Sequence, residues 1–219
     1  MRAKFWLDLW QKDEIPFHRA EHNQLLLEFW ERLQLPSPAP VFVPMCGKSL
    51  DMRWLEAVGH PVIGVELAQI AVETYFAEGG EAPQQSVVDR FSCYTGVGTT
   101  IYQGDFFDLT APLLADVQGL FDRGALVALP PDMRFRYVDH LLRIIPDGTR
   151  ILLVTFEYDQ QLVAGPPHAV TPEEVESLYG PRCEVNLVES IVTSALPGHF
   201  ADQGVRQAAE SVYLITKQD

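Results

Sequence analysis

Cations are scarce in this chain: 16 Lys and Arg stand against 30 Asp and Glu, a net charge of −14, and no basic run interrupts it. Neutralising phosphates needs clustered Lys and Arg, so nucleic-acid binding is disfavoured. Binding to anionic lipid is disfavoured for the same reason. No apolar stretch reaches the ~18 residues of a membrane-spanning helix. Cysteine is also sparse. Cys46, Cys93 and Cys183 are odd in number and widely spaced, and no CxxC occurs. Such a set points to reduced thiols in a cytoplasmic protein rather than to a disulfide framework. The first residues carry Asp8, Asp13 and Glu14 without a continuous apolar core, so they do not read as a signal peptide.

Apolar residues are plentiful. They make up 47% of 219 residues, which suits one well-packed α/β domain and argues against disorder. Leu26, Phe29, Trp30 and Leu33 fall on one helical face. Pro36, Pro38 and Pro40 end that helix and lead into a strand near 41–45. A helical stripe over Leu50–Val58 closes at Gly59, and a strand follows near 62–66. A helix is predicted near 68–78. Residues 81–92 read as a polar surface loop, and 91–103 as a hairpin around Gly96 and Gly98. Strands at Leu120-Phe121 and Ile151–Phe156 flank a helix over about 131–144. Thr171-Pro172-Glu173-Glu174 is a capping box with proline at the first helical position. Late strands near 183–192 and 211–217 lack a crossover helix between them and should pair antiparallel. The sum is an open, mostly parallel sheet with a ligand at the carboxyl ends of its strands.

One stretch is more specific. The strand at Val41–Val43 runs into Pro44-Met45-Cys46-Gly47, and Glu66 ends the next strand 19 positions after Gly47. An acidic side chain about 20 residues beyond the first turn meets a nucleoside ribose in nucleotide-binding α/β folds. Ionised Glu66 has two acceptor oxygens for a pair of ribose hydroxyls. The plainer reading, a carboxylate capping the next helix, is compatible with that role. The turn is not GxGxxG. A single glycine suits an adenosyl ligand without a pyrophosphate, such as S-adenosylmethionine. Asp105 ends another strand beside Phe106, a sensible adenine site, although Phe106 reads equally well as core. Arg123, in Phe121-Asp122-Arg123-Gly124, offers a permanently charged fork at the expected reaction centre. An ion pair with Asp122 or another acid is the plainer alternative.

Read together, Trp6, Trp10, Phe17-His18, Pro44–Leu55, Gly59–Glu66, Phe121–Ala128 and Gly165–His168 resemble the thiopurine S-methyltransferases in their bacterial form, in order along nearly the whole chain. The resemblance implies a class I, Rossmann-like α/β methyltransferase fold: a seven-stranded, mostly parallel sheet with an antiparallel last strand and helices on both faces. It implies one domain, with residues 1–38 as a helical lid and 39–219 as the core. The implied reaction moves the methyl group of S-adenosyl-L-methionine to the sulfur of aromatic or heterocyclic thiols, leaving S-adenosyl-L-homocysteine. Carried over, cofactor positions fall on Trp10, Met45, Glu66 and Arg123, and Phe17 faces the substrate. Mammalian relatives place a substrate-facing arginine before the last strand. Here that loop reads Leu196-Pro197-Gly198-His199-Phe200, and His199 stands nearest. A monomer acting on a small thiol, or on a selenium or tellurium species, is expected.

Other readings compete. His18-Arg19-Ala20-Glu21-His22 matches the HxxEH zinc signature, but it lacks an evident third ligand, and no metal is expected. Cys46 beside Gly47 reads as a reactive thiol or, more plainly, as a buried one. A nicotinamide oxidoreductase lacks its glycine fingerprint. A binding protein that keeps the fold without the activity is not distinguished by fold.

Overall fold

The computed structural model describes residues 3–194, 196 and 198–219, with Gly198 and His199 in backbone only. The chain opens with α1 (Ala3–Gln11) and α2 (Gln24–Phe29). Asn23 caps α2, its side-chain oxygen accepting from Leu25 N and Leu26 N. This satisfies donors that every helix start leaves unpaired. The helix predicted through Leu33 tightens after Phe29 into a 3₁₀ turn, Trp30–Leu33. It stops where Gln34 adopts left-handed backbone, φ 50°.

Strands and helices then alternate: β1 (Val41–Val43), α3 (Leu50–Ala57), β2 (Val62–Glu66) and α4 (Gln69–Glu78). β3 (Gln84–Val88), β4 (Phe91–Thr95) and β5 (Thr99–Gln103) follow, then β6 (Gly119–Asp122), α5 (Ala125–Ala128) and α6 (Pro131–Ile144). The chain ends with β7 (Arg150–Glu157), α7 (Pro172–Tyr179), β8 (Cys183–Thr193), α8 (Gly198–Asp202) and β9 (Ala208–Lys217). The sheet order is β3-β4-β5-β2-β1-β6-β7-β9-β8. β5, β2, β1, β6 and β7 run parallel. β9 lies antiparallel between β7 and β8, as expected of the last strand. The seven strands from β5 to β8 are the expected set, and β3 and β4 extend it by an antiparallel hairpin. Part of the stretch read as loop is thus the edge strand β3. Its side chains at Gln84–Val87 are exposed, so no apolar alternation marked it.

Alternate residues of the central strands enter opposite cores. Phe42, Val65, Leu120, Ile151 and Leu153 pack with Tyr137, Leu141 and Val175 on the side of α6 and α7. Val41, Val43, Val62, Phe121 and Leu152 pack with Leu26, Met52, Leu55 and Val72 on the side of α2, α3 and α4. Burial on both faces explains the uninterrupted apolar run in β7.

α6 and α7 meet through a buried cation. Arg134 is 0% exposed. Its Nη1 donates to both oxygens of Glu174, at 2.8 and 2.6 Å, and its Nε donates to Leu129 O. Thr171 Oγ1 accepts from Glu174 N and caps α7. Glu174→Ala leaves the cation unpaired and should lower stability by about 3 kcal/mol. Thr171→Ala, which removes only the cap, should lower it by about 1 kcal/mol. Urea unfolding checks both, and equal losses would mean that the ion pair adds nothing beyond the cap.

Candidate active site

A cavity of about 980 Å³ opens at the carboxyl ends of β1, β2, β5, β6 and β7. It lies where the strand order reverses, between β1 and β6, which is where open α/β sheets place ligands. α1 and the loop after it cover one side. Trp10, Phe17, Met45, Glu66, Asp105, Phe106 and Arg123 all line it.

The floor is the turn after β1. Met45 and Gly47 both have positive φ, 47° and 54°. Glu66, at the end of β2, bridges this turn to the next helix: Oε2 accepts from Gly47 N at 2.9 Å, and Oε1 from Ala68 N at 2.7 Å. Each oxygen keeps acceptor capacity. Burial raises the Glu66 pKa, and hydrogen bonds from Ala68, Gly47 and Leu67 partly oppose the rise. A Cβ on Gly47 would lie 3.1 Å from Trp10 Cζ2. The glycine therefore serves both the backbone conformation and close approach of the indole. Trp10 is 7% exposed and meets Phe17 edge-on at 5.6 Å, and Phe17 meets Trp6 at 5.4 Å. Cys46 is buried, and burial together with the charge of Glu66 pushes its thiol pKa well up. It is a packing group, not a poised nucleophile.

Asp105 Oδ1 accepts from Phe107 N at 2.9 Å and caps a 3₁₀ turn, Phe106–Asp108. Phe106 is 4% exposed, with its ring 4.9 Å from Tyr137 and edge-on to His140 at 5.3 Å. The core reading of Phe106 therefore holds alongside its place in the cavity wall. Sequence reasoning passed over its neighbour. Phe107 lines the cavity with the Arg136 guanidinium 4.0 Å from its ring centre. Two adjacent phenylalanines gave no basis for choosing between them.

Arg123 does not pair with Asp122. Asp122 Oδ1 accepts from Ala125 N at 3.0 Å and Leu126 N at 3.2 Å, while Oδ2 accepts from Tyr137 Oη at 2.7 Å. The carboxylate thus fixes the turn and leaves Arg123 free. Among the described residues, Arg123 has no ion pair. Burial lowers its pKa, the charge of Arg19 lowers it further, and Asp51 and Glu210 oppose the shift.

His199 lies in α8, with its side chain outside the described residues. His18 and His22 stand in irregular chain, so their rings do not share a helix face as HxxEH requires. No metal-holding cluster of His, Cys, Asp and Glu occurs among the described residues. Nor does any helix among them have the length and apolarity to cross a membrane. Arg19, Thr155, Phe156 and Glu210 also line the cavity. The topology brings them there from β7, β9 and the loop after α1, and no local motif announced them.

Known proteins share this fold. The Anabaena variabilis S-adenosylmethionine-dependent methyltransferase superposes with a TM-score of 0.69 over 99% of this chain and 95% of its own, at 14% identity. The Burkholderia thailandensis 1,6-didemethyltoxoflavin N1-methyltransferase, crystallised with S-adenosylhomocysteine, gives 0.67 over 99% and 87%, at 17% identity. In sequence, the thiopurine S-methyltransferase of Nitrosospira multiformis is 42% identical over 98% of both chains. That of Shewanella amazonensis is 41% identical over 100% of both. The family described as Thiopurine S-methyltransferase (TPMT) matches residues 1–218. This chain belongs to the thiopurine S-methyltransferase family.

Proposed function

We propose that the protein transfers the methyl group of S-adenosyl-L-methionine to the sulfur of aromatic and heterocyclic thiols, thiopurines among them. The observation that carries this reading is a half-buried Arg123, with no ion pair among the described residues, in the same cavity as the Gly47–Glu66 floor. The named relatives favour thiols over selenium or tellurium acceptors. The residues present fit the cofactor. Glu66 keeps acceptor capacity for ribose hydroxyls, and the bare backbone of Gly47 leaves the floor open beside Trp10. Asp105 and Phe106 line the same cavity and would meet the adenine, and Met45, also in the wall, would pack against the cofactor.

When bound, S-adenosylmethionine supplies an electrophilic methyl group on a sulfonium. The chain supplies alignment and charge. Arg123 favours the acceptor thiolate over the thiol by opposite charge. Aromatic thiols ionise readily, so no dedicated base is required. Phe17 and, from its place in the sequence, His199 would hold the ring, and residues 1–38 would act as a lid over the core 39–219, with Trp10 keeping water from the reacting atoms. The same reading takes the protein as a cytoplasmic monomer that acts on a small molecule and binds neither nucleic acid nor membrane. Three free, buried cysteines suit a reducing compartment.

Methyl transfer from labelled cofactor to 6-mercaptopurine tests the activity directly, and absence of turnover would sink it. Glu66→Ala should weaken S-adenosylhomocysteine binding about tenfold or more, through lost hydrogen bonds to a charged acceptor. Calorimetry measures this, and unchanged affinity removes Glu66 from the site. Arg123→Ala should lower kcat on the order of a hundredfold at a near-native melting temperature. A collapsed melting temperature would instead mark a structural ion pair.

The Glu66 shift also fixes a pH dependence. Its folded pKa is raised above the ordinary 4.5, so the folded state holds the proton more tightly than the unfolded chain. Stability should therefore fall as pH climbs from that ordinary value through the raised one. Glu66→Gln should remove part of the fall, because Asp122 is raised by burial in the same sense. Urea midpoints across the acidic range measure it, and an unaltered slope in the variant would contradict it.

A further inference from the structure

One carboxylate in the folded sheet has no structural task. Glu210, on β9, is half-buried and lines the cavity. Among the described residues it takes part in no hydrogen bond and no ion pair. The other acids that the sheet and α3 bring to the wall are engaged. Glu66 accepts from Gly47 N and Ala68 N, and Asp105 from Phe107 N. Asp51 accepts from Asn23 N at 2.8 Å and from Ser49 Oγ at 3.1 Å. Glu21 belongs to the loop between α1 and α2 and is exposed.

Strand register fixes where Glu210 stands relative to Arg123. Asp122 of β6 lies opposite Leu153 of β7, so Arg123, the next residue, follows beside Val154. Val154 lies opposite Val212 of β9, and Phe156 opposite Glu210. Residues two apart in a strand share a face. Phe121, Val154 and Val212 pack in one core, and Arg123, Phe156 and Glu210 continue that face into the cavity. Glu210 acts on the charge of Arg123 from this side. Neighbouring strands lie about 4.8 Å apart and residues rise about 3.4 Å, so the two backbones are about 12 Å apart. The strip between them is apolar: Val154 and Phe156 line the cavity there, and Phe156 meets Phe200 edge-on at 5.7 Å. A flat ring laid on this strip would have its sulfur at the cation and its far edge at the carboxylate.

We propose that Glu210 is a specificity residue that accepts a hydrogen bond from a ring N–H on the edge of the acceptor opposite its sulfur. The proposal rests on the thiol-methylation reading and adds to it the side chain that reads the ring. An ionised carboxylate only accepts, and a bond to it is stronger than one between neutral groups. Glu210 therefore favours a ring with a donor on that edge over one without.

The test compares 6-mercaptopurine with its 9-methyl derivative, in which a methyl replaces the hydrogen on the imidazole nitrogen. In Glu210→Gln, which keeps the size and loses the charge, the ratio of kcat/KM for the parent over the methyl derivative should fall about tenfold, chiefly through KM. Glu210→Leu, which has no acceptor, should lower the ratio further. The melting temperatures should stay near that of the wild type. An unchanged ratio overturns the assignment. So does an equal fall for both purines, because a carboxylate acting on Arg123 or on the sulfonium would affect every acceptor alike. A collapsed melting temperature in Glu210→Gln would mark a structural partner and overturn it too. If the wild type methylates neither purine, the thiol-methylation reading itself fails.

Discussion

Carboxylates at strand ends hold this site in shape. Glu66 ends β2 and takes the N–H groups of Gly47 and Ala68. Asp105 follows β5 and takes Phe107 N. Asp122 ends β6 and takes Ala125 N and Leu126 N, with Tyr137 Oη on its other oxygen. Turns at these places leave backbone donors without partners, and buried donors left so are costly. One acidic side chain per turn satisfies them and fixes the turn. The cost is desolvation of the charge, visible in the raised pKa values of Glu66 and Asp122. The hydrogen bonds offset part of it.

This arrangement separates two kinds of polar group. Asp122 spends its oxygens on backbone and on Tyr137, so the adjacent Arg123 is not neutralised by its neighbour. Had the two paired, the guanidinium would be a structural group with little left for an acceptor. The chain is strongly acidic, at −14. At physiological salt its field decays over ~8 Å, so an anionic acceptor responds mainly to the charges lining the cavity. The wall itself is mixed in charge: Arg19, Lys48, Arg123 and Arg136 stand with Glu21, Asp51, Glu66, Asp105 and Glu210.

Much of the fold could be read from the sequence, because the central strands and their helices leave strong patterns. β2 ends at Glu66 and α6 spans Pro131–Ile144, as periodicity predicts. Thr171 caps α7 as its capping box requires. β3 escaped because backbone hydrogen bonds to β4, not buried side chains, hold it at the edge. The 3₁₀ turn after Phe29 escaped because apolar spacing does not separate three residues per turn from 3.6 over one turn. The floor of the site was legible for a related reason: Gly47 and Glu66 sit on one βα unit with a fixed span. Arg19, Thr155 and Glu210 meet only when distant segments converge, and a single sequence carries no local sign of that.

The two ends of the cavity therefore rest on different foundations. On the proposed reading, the cofactor end is built from rigid pieces: strand termini, their capping carboxylates, and a glycine against Trp10. On the same reading, the acceptor end is built from the loop after α1 and the fork of Arg123. Loops tolerate substitution because few backbone hydrogen bonds depend on their side chains. A residue such as Arg19, exposed and without a partner among the described residues, can change with little effect on the fold. If the proposed reading holds, acceptor preference would shift by exchange of such side chains while the grip on the methyl donor stays fixed.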